Sequence, residues 1–234
     1  MKTCVTGPLL ELNKAVPSFE ESGLPPVPFN MRLMPGDCVF VDVYDISRAT
    51  TFADVCSGLV PLESGNVQFM GLDWCRLKEK EINSLRGRIG RITKRRSWPD
   101  FIPVHMAIML QQLHHTTVSQ ETLLFEASVL AEQFGLPGLP TVNPNMMSMM
   151  DLCRASCVRA LLGKPQLLLL EEPMEGAPKE LIDAFLRAVT RARDYGAGVV
   201  WLARGGSTMH RYYRQGVTSA LRLTDNGLVT VRVG

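Results

Sequence analysis

The sequence lacks a charge imbalance. Its 25 Lys and Arg stand against 23 Asp and Glu, a formal charge of +2. Nothing in that balance calls for nucleic acid, and no nucleic-acid partner is expected. It also lacks any apolar run near the roughly 20 residues that a membrane-spanning helix needs, and its N-terminus shows no signal-peptide pattern. The expectation is a soluble or peripherally attached cytoplasmic protein. The six cysteines include no C-x-x-C pair and no zinc spacing, which argues against a zinc ribbon or a dithiol redox motif. Cys153 and Cys157 lie four apart and read as two core thiols on one helix face. No internal repeat and no low-complexity segment is found, so a solenoid is excluded. A chain of 234 residues is long enough to bury a sizeable core, and it reads as one domain over 1–234.

What is present centres on Leu161 to Gly176, LLGKPQLLLLEEPMEG. Leu167 to Leu170 follow a Lys164-Pro165 turn signal and stop at Glu171, Glu172 and Pro173. A short apolar run bounded this way reads as a strand buried on both faces, as in a parallel sheet. Polar groups at the C-terminal end of such a strand lie where open α/β sheets place their ligands. Glu171 and Glu172 are therefore candidates for a nucleotide and Mg²⁺ site. The alternative is an acidic helix N-terminus, where carboxylates suit the helix dipole.

The remaining elements follow from pattern. Leu9 to Leu12 is a first strand, and Val16 to Pro28 a loop rich in Pro, Glu and Ser. Val27 to Leu33 alternates apolar and polar, as a half-buried strand does. Met34 to Asp37 is a turn, Cys38 to Val43 a buried strand, Phe52 to Leu59 a helix, and Asn66 to Met70 another strand. Glu121 to Phe134 is an amphipathic helix with Leu123, Leu124, Ala127, Leu130, Ala131 and Phe134 on one side. Leu136 to Pro144 is a loop, Ser148 to Leu162 a helix, and Glu180 to Tyr195 a helix with Leu181, Ala184, Phe185, Ala188 and Val189 inward. Val199 to Leu202 is a buried strand. Two closing strands flank the hairpin signal Asp225-Asn226-Gly227 within Ala220 to Val233.

This order resembles the ATP-binding cassette (ABC) family over Leu9 to Val231. The resemblance rests on Arg159-Ala160-Leu161-Leu162, on Lys164-Pro165, and on the apolar run ending Glu171-Glu172-Pro173, which is similar to the family's Walker B end. It also rests on Pro35-Gly36-Asp37 before a strand, loop and helix, and on Gly71-Leu72-Asp73 after a strand. The fold it implies is α/β: an ABC-type ATPase fold with a mostly parallel core sheet, an antiparallel N-terminal β-subdomain, and a helical subdomain at about 97–157. By the same resemblance, Leu85 to Ile92 is expected as the strand before the family's Gln loop, and Trp98 to Leu113 enters the helical subdomain.

The resemblance also locates positions of chemistry, and most hold altered residues. A phosphate loop works because glycines let backbone N–H groups converge on phosphates, with a Lys for charge and a hydroxyl for Mg²⁺. The matching stretch, Val43 to Thr51, contains no glycine. Ala49 holds the lysine position, Ser47 and Arg48 precede it, and Thr50 and Thr51 keep the hydroxyls at the expected start of the helix, where capping is their plainer role. Asp45 would bring negative charge to the phosphate side. Lys94 holds the Gln-loop position, and a protonated amine cannot ligate metal. Ser148 keeps the signature serine, while Met149 and Met150 replace its glycines. The run Met146 to Met150 offers apolar surface suited to protein contact or to core packing. Glu171 stands at the Mg²⁺-associated Walker B position and Glu172 at that of the catalytic general base. Pro178 replaces the acid of the dimer-contact loop, Arg204 replaces the switch histidine, His210 lies too far along to substitute, and Phe19 falls near the family's adenine-stacking aromatic.

Phosphoryl transfer is nearly all positioning and electrostatics, so a kept fold does not carry the activity. The resemblance therefore implies a degenerate cassette subunit of a membrane transport complex, without ATPase activity. Its partners would be a transmembrane permease subunit, met through Lys94 to Phe101 with Trp98, and a second ABC cassette. No cofactor is expected; ATP and Mg²⁺ are the pair that would bind if a site survives. Two other readings stay open. One is a divergent active ATPase using Arg48, Arg204 and Glu172, and the other a stand-alone scaffold.

Overall fold

The computed structural model describes residues 7–94, 98–205 and 216–231. The chain opens with β1 (Leu10–Pro17), a short helix α1 (Phe19–Ser22), β2 (Phe29–Leu33) and β3 (Cys38–Val43). Helix α2 (Ile46–Cys56) leads to β4 (Leu62–Phe69), β5 (Leu72–Asp73), α3 (Glu79–Arg86) and β6 (Ile89–Ile92). Three helices follow: α4 (Val104–His115), α5 (Gln120–Gln133) and α6 (Met149–Leu161). Then come β7 (Leu167–Glu171), α7 (Lys179–Asp194), β8 (Gly198–Ala203), β9 (Ser219–Thr224) and β10 (Gly227–Thr230).

Two sheets result. One is antiparallel, in the order β2-β1-β4-β5. The other has the order β10-β9-β3-β8-β7-β6 and is parallel except for the β9–β10 hairpin. The four leucines of β7 explain the centre of that second sheet. Successive side chains point to opposite faces. Leu168 and Leu170 join Phe40, Val199 and Trp201 in one core with α4 to α7. Leu167 and Leu169 join Val39, Val41, Val200 and Leu202 in a second core, shared with α2 and the antiparallel sheet. All four leucines are fully buried, and each such burial stabilises by about 2 kcal/mol.

The helices follow their caps and apolar stripes. Ser148 caps α6 by accepting from Asp151 N at 3.0 Å, and Ser119 caps α5 by accepting from Thr122 N at 3.2 Å. On α7, Leu181, Phe185 and Val189 recur at four-residue spacing and all are buried, with the Phe185 ring edge-on to Trp201 at 5.8 Å. On α5 the expected face is inward: Leu123, Ala127, Ala131 and Phe134 are buried, and Leu124 and Leu130 pack against the same core.

Several boundaries differ from expectation. The first strand runs on to Pro17, and the segment expected to be wholly loop holds α1. Phe19, on α1, is half exposed. The residues before Ile89 are not strand; Leu85 and Arg86 close helix α3, whose charged sequence EKEINSLR hides its one buried face at Leu85. Helix α2 begins at Ile46 rather than Phe52. The expected phosphate-loop stretch is thus already helical from its fourth residue, because Asp45 accepts from Ser47 N at 2.9 Å and caps it. Thr50 and Thr51 are therefore not caps. Thr51 Oγ1 donates back to Ser47 O, and Thr50 is used elsewhere.

Candidate functional site

Parallel strands that share one direction end on one edge, and the polar residues of the second sheet collect there. Glu171 is the last residue of β7 and is fully buried. A buried carboxylate stays ionised only if its oxygens are paired. Thr50 Oγ1 on α2 donates to Glu171 Oε2 at 2.6 Å. Arg91 on β6 donates from Nε to Glu171 Oε1 at 2.9 Å. The same guanidinium reaches the Asp54 carboxylate and, at 3.0 Å, the Thr50 carbonyl oxygen.

Glu172 forms a second cluster. Its φ of +40° is unusual for a residue with a side chain, and its N–H still donates to Leu202 O on β8 at 2.8 Å. Arg204, just past β8, donates through Nε to Glu172 Oε1 at 2.8 Å and through its other arm to Glu175 at 2.8 Å. Lys94, just past β6, lies 3.4 Å from Glu172 and 3.2 Å from Glu175. Burial alone would push the Glu172 carboxyl up. The hydrogen bonds from Arg204 and the charge of Lys94 win and hold it down at about 2.

Two further pairs close the edge. Asp42 on β3 accepts from Gly205 N at 2.7 Å and from Arg222 Nε on β9 at 2.8 Å. Arg48 on α2 pairs with Asp225 in the β9–β10 turn at 2.6 Å. Between Val43, Tyr44, Arg48, Arg204 and Asp225 lies an open recess of about 560 Å³. Ala49 faces away from it and is fully buried in the core.

The structure therefore brings together Thr50 with Glu171, and Lys94 with Glu172 and Arg204. Ser47 and Thr51 bond to one another's turn of α2, and Ser148 spends its hydroxyl on the α6 cap and on Asp151. Arg95, Arg96 and His210 lie outside the described residues. Trp98, expected on a partner-facing surface with Phe101, is instead buried under Arg159, whose guanidinium sits 4.2 Å from the ring. Phe101 is exposed. Sequence reasoning missed Arg91, Asp54, Asp42 and Glu175. The signal for two of them was present: Arg91 in IGRI and Asp42 in CVFVDV are charges inside buried strand runs.

No family model matches the chain. Sequence relatives do. The Bacitracin export ATP-binding protein BceA of Halalkalibacterium halodurans is 27% identical over 145 residues, 62% of this chain and 57% of that protein. The Lipoprotein-releasing system ATP-binding protein LolD 2 of Chlorobaculum tepidum is 28% identical over 176 residues, 70% of each. The chain spans little more than half the length of the first relatives it matches, at 57%, 55% and 56%. Among solved structures, the dimeric bacterial ABC transporter cassette MJ0796 superimposes with a TM-score of 0.80 at 16% identity, over 96% of this chain and all of that one. The chain is an ABC-type cassette in fold. Its parallel core sheet, antiparallel first sheet and added helices are those of the cassette structures. Among the described residues of this cassette, no helix is long and apolar enough to cross a membrane, and no group of three His, Cys, Asp or Glu is arranged to hold a metal.

Proposed function

We propose that this cassette is a non-hydrolysing subunit of a membrane transport complex, held at the inner face of the membrane and working by protein contact. The observation that carries the reading is the pairing of Glu172. A general base must offer a free oxygen to water. Glu172, at the general-base position by resemblance, has both oxygens engaged, by Arg204 and by Lys94. Those two cations stand at the Gln-loop and His-switch positions.

A Mg²⁺-nucleotide is the group the fold implies, and one relative structure is of MJ0796 bound to ADP and Pi. The residues here do not suit it. Ala49 brings no charge, Ile46 and Arg48 put side chains where glycines would open the backbone, and Asp45 adds a carboxylate at the helix start. Both Glu171 oxygens already accept hydrogen bonds, one of them from the Arg91 cation, which opposes a second cation there. The partners we assign are a transmembrane permease subunit, through Lys94 to Phe101 and above all the exposed Phe101, and a second cassette. A hydrolysing cassette remains the competing reading. It is favoured by the Thr50–Glu171 contact, which joins the hydroxyl and carboxylate that a metal site would use, and by relatives named as export and import ATP-binding proteins.

Calorimetry with Mg-ATP decides between them, on the purified chain and on complexes isolated from detergent-solubilised membranes. The proposal expects no heat of binding and no phosphate release in either sample, and an integral membrane protein in the complex. Hydrolysis in the complex, lost in a Glu172→Gln variant, would replace this reading with the competing one. A chain recovered without any membrane protein would favour a stand-alone scaffold.

A further inference from the structure

We infer that the guanidinium of Arg91 is the resident cation of this cassette, holding in place of a divalent ion an oxygen set that would bind one if Arg91 were absent. The inference goes beyond the hydrolysis reading and does not rest on it.

The argument starts from Glu171. Its carboxylate is fully buried at the end of an all-leucine strand. There, an unpaired negative charge would be driven to protonate or to capture a cation. The groups around it are Glu171 Oε1, an Asp54 carboxylate oxygen and the Thr50 carbonyl oxygen, contributed by β7 and by two turns of α2. All are oxygens, and two carry full negative charge. That is the donor chemistry of Mg²⁺, Mn²⁺ or Ca²⁺. One guanidinium touches all three, with Nε and one terminal nitrogen on Glu171, the other terminal nitrogen on Asp54, and a further bond to Thr50.

Arginine is suited to this place for a physical reason. Its planar fork has five donors at fixed angles, so one side chain can serve three acceptors on three sides. A lysine ammonium, a compact point charge, could not span them. Arg91 lies on β6 between the buried Ile92 and Gly90, and its side chain is about one-fifth exposed, so the head meets the oxygens in a largely desolvated place. Glu171 and Asp54 both hold it charged, and its pKa rises against the cost of burial. The cation thus arrives covalently attached, and β6, β7 and α2 are tied together whether or not any solute is present.

The test is Mn²⁺ binding followed by electron paramagnetic resonance, with thermal melts, on wild type and Arg91→Ala, all without nucleotide. Wild type is expected to bind no Mn²⁺ and to melt at the same temperature with or without millimolar Mg²⁺. Arg91→Ala is expected to melt roughly 10 °C lower, to bind about one Mn²⁺ per chain, and to regain at least half the lost melting temperature with Mn²⁺ or with low millimolar guanidinium. Adding Glu171→Gln is expected to abolish the Mn²⁺ signal. A wild type that binds Mn²⁺ at this edge, or a folded Arg91→Ala that neither binds Mn²⁺ nor is rescued, overturns the inference. Should Arg91→Ala fail to fold, the paired variant Arg91→Met with Glu171→Gln removes the cation and its fully buried partner together, leaving only the part-exposed Asp54 charge. It is expected to fold without metal, and its failure to fold would equally overturn the inference. Nucleotide binding by wild type is a separate readout, so this test and that of the hydrolysis reading fail independently.

Discussion

Replacing Glu172 by Gln keeps the shape of the side chain and removes its charge. In a hydrolysing cassette the cost would fall on turnover. On the reading proposed above it is expected to fall on stability. The Glu172 carboxyl is held at about 2, from an ordinary value of 4.5. At about 1.4 kcal/mol per pKa unit that difference corresponds to roughly 3 kcal/mol. Arg204 is half exposed, so solvent screens part of it, and about 1–2 kcal/mol is the realistic share. For a domain of this size that is a fall of roughly 2–8 °C in melting temperature. The sign of the pH dependence follows from the depressed value. Folding keeps the proton off, so the stabilisation is fully present above about pH 4.5 and is lost as pH falls toward about 2. Wild type and Glu172→Gln, followed by circular dichroism, should therefore differ most at pH 6–7 and converge below about pH 3. The gap should also narrow in molar salt. Identical melting at pH 7, or a gap that widens in acid, would refute the pairing argument.

Gly90→Ala should fail to give folded protein, or lose about 3 kcal/mol or more, because the new Cβ would lie 1.9 Å from the Ala160 carbonyl oxygen on α6; soluble yield and urea unfolding check this. Ala49→Lys, which puts a lysine where the proposed alignment expects one, should create no ATP binding by calorimetry. It should also destabilise by about 1–3 kcal/mol through overpacking, since Ala49 is fully buried among apolar side chains. Arg48→Ala should shift stability by less than about 0.5 kcal/mol, its partner Asp225 being largely exposed; a larger loss in a denaturant melt would mean that the β9–β10 turn depends on that pair.

Much of the fold was legible because burial leaves a pattern along the chain. Leu167 to Leu170, Cys38 to Val43 and Val199 to Leu202 read as strands covered on both faces, being short and bounded by turn signals, and α5 and α7 show their inward stripes at helical spacing. The boundaries that failed were those where local chemistry outweighed pattern. Asp45 caps α2 seven residues before Phe52, the start of its continuous apolar stripe, so a stretch without glycine becomes helix instead of loop. Helix α3 buries only Leu85 and had no stripe to show. Trp98 in a basic, polar segment read as surface, yet Arg159, 61 positions away, covers it.

Glu171, Glu172, Lys94 and Arg204 could be named from the sequence, because strand ends and turn residues mark the edge where polar groups gather. Their state could not. Whether a carboxylate is free, metal-ready or already neutralised depends on what other strands bring within 3 Å, and strand order is not written in local spacing. The sequence by itself determined the buried strands and the lack of any glycine from Val43 to Thr51. Only the tertiary structure decided that β6 and β8 flank β7. That order places Arg91 against Glu171, and Lys94 and Arg204 against Glu172, and makes the polar edge of this cassette electrostatically self-sufficient.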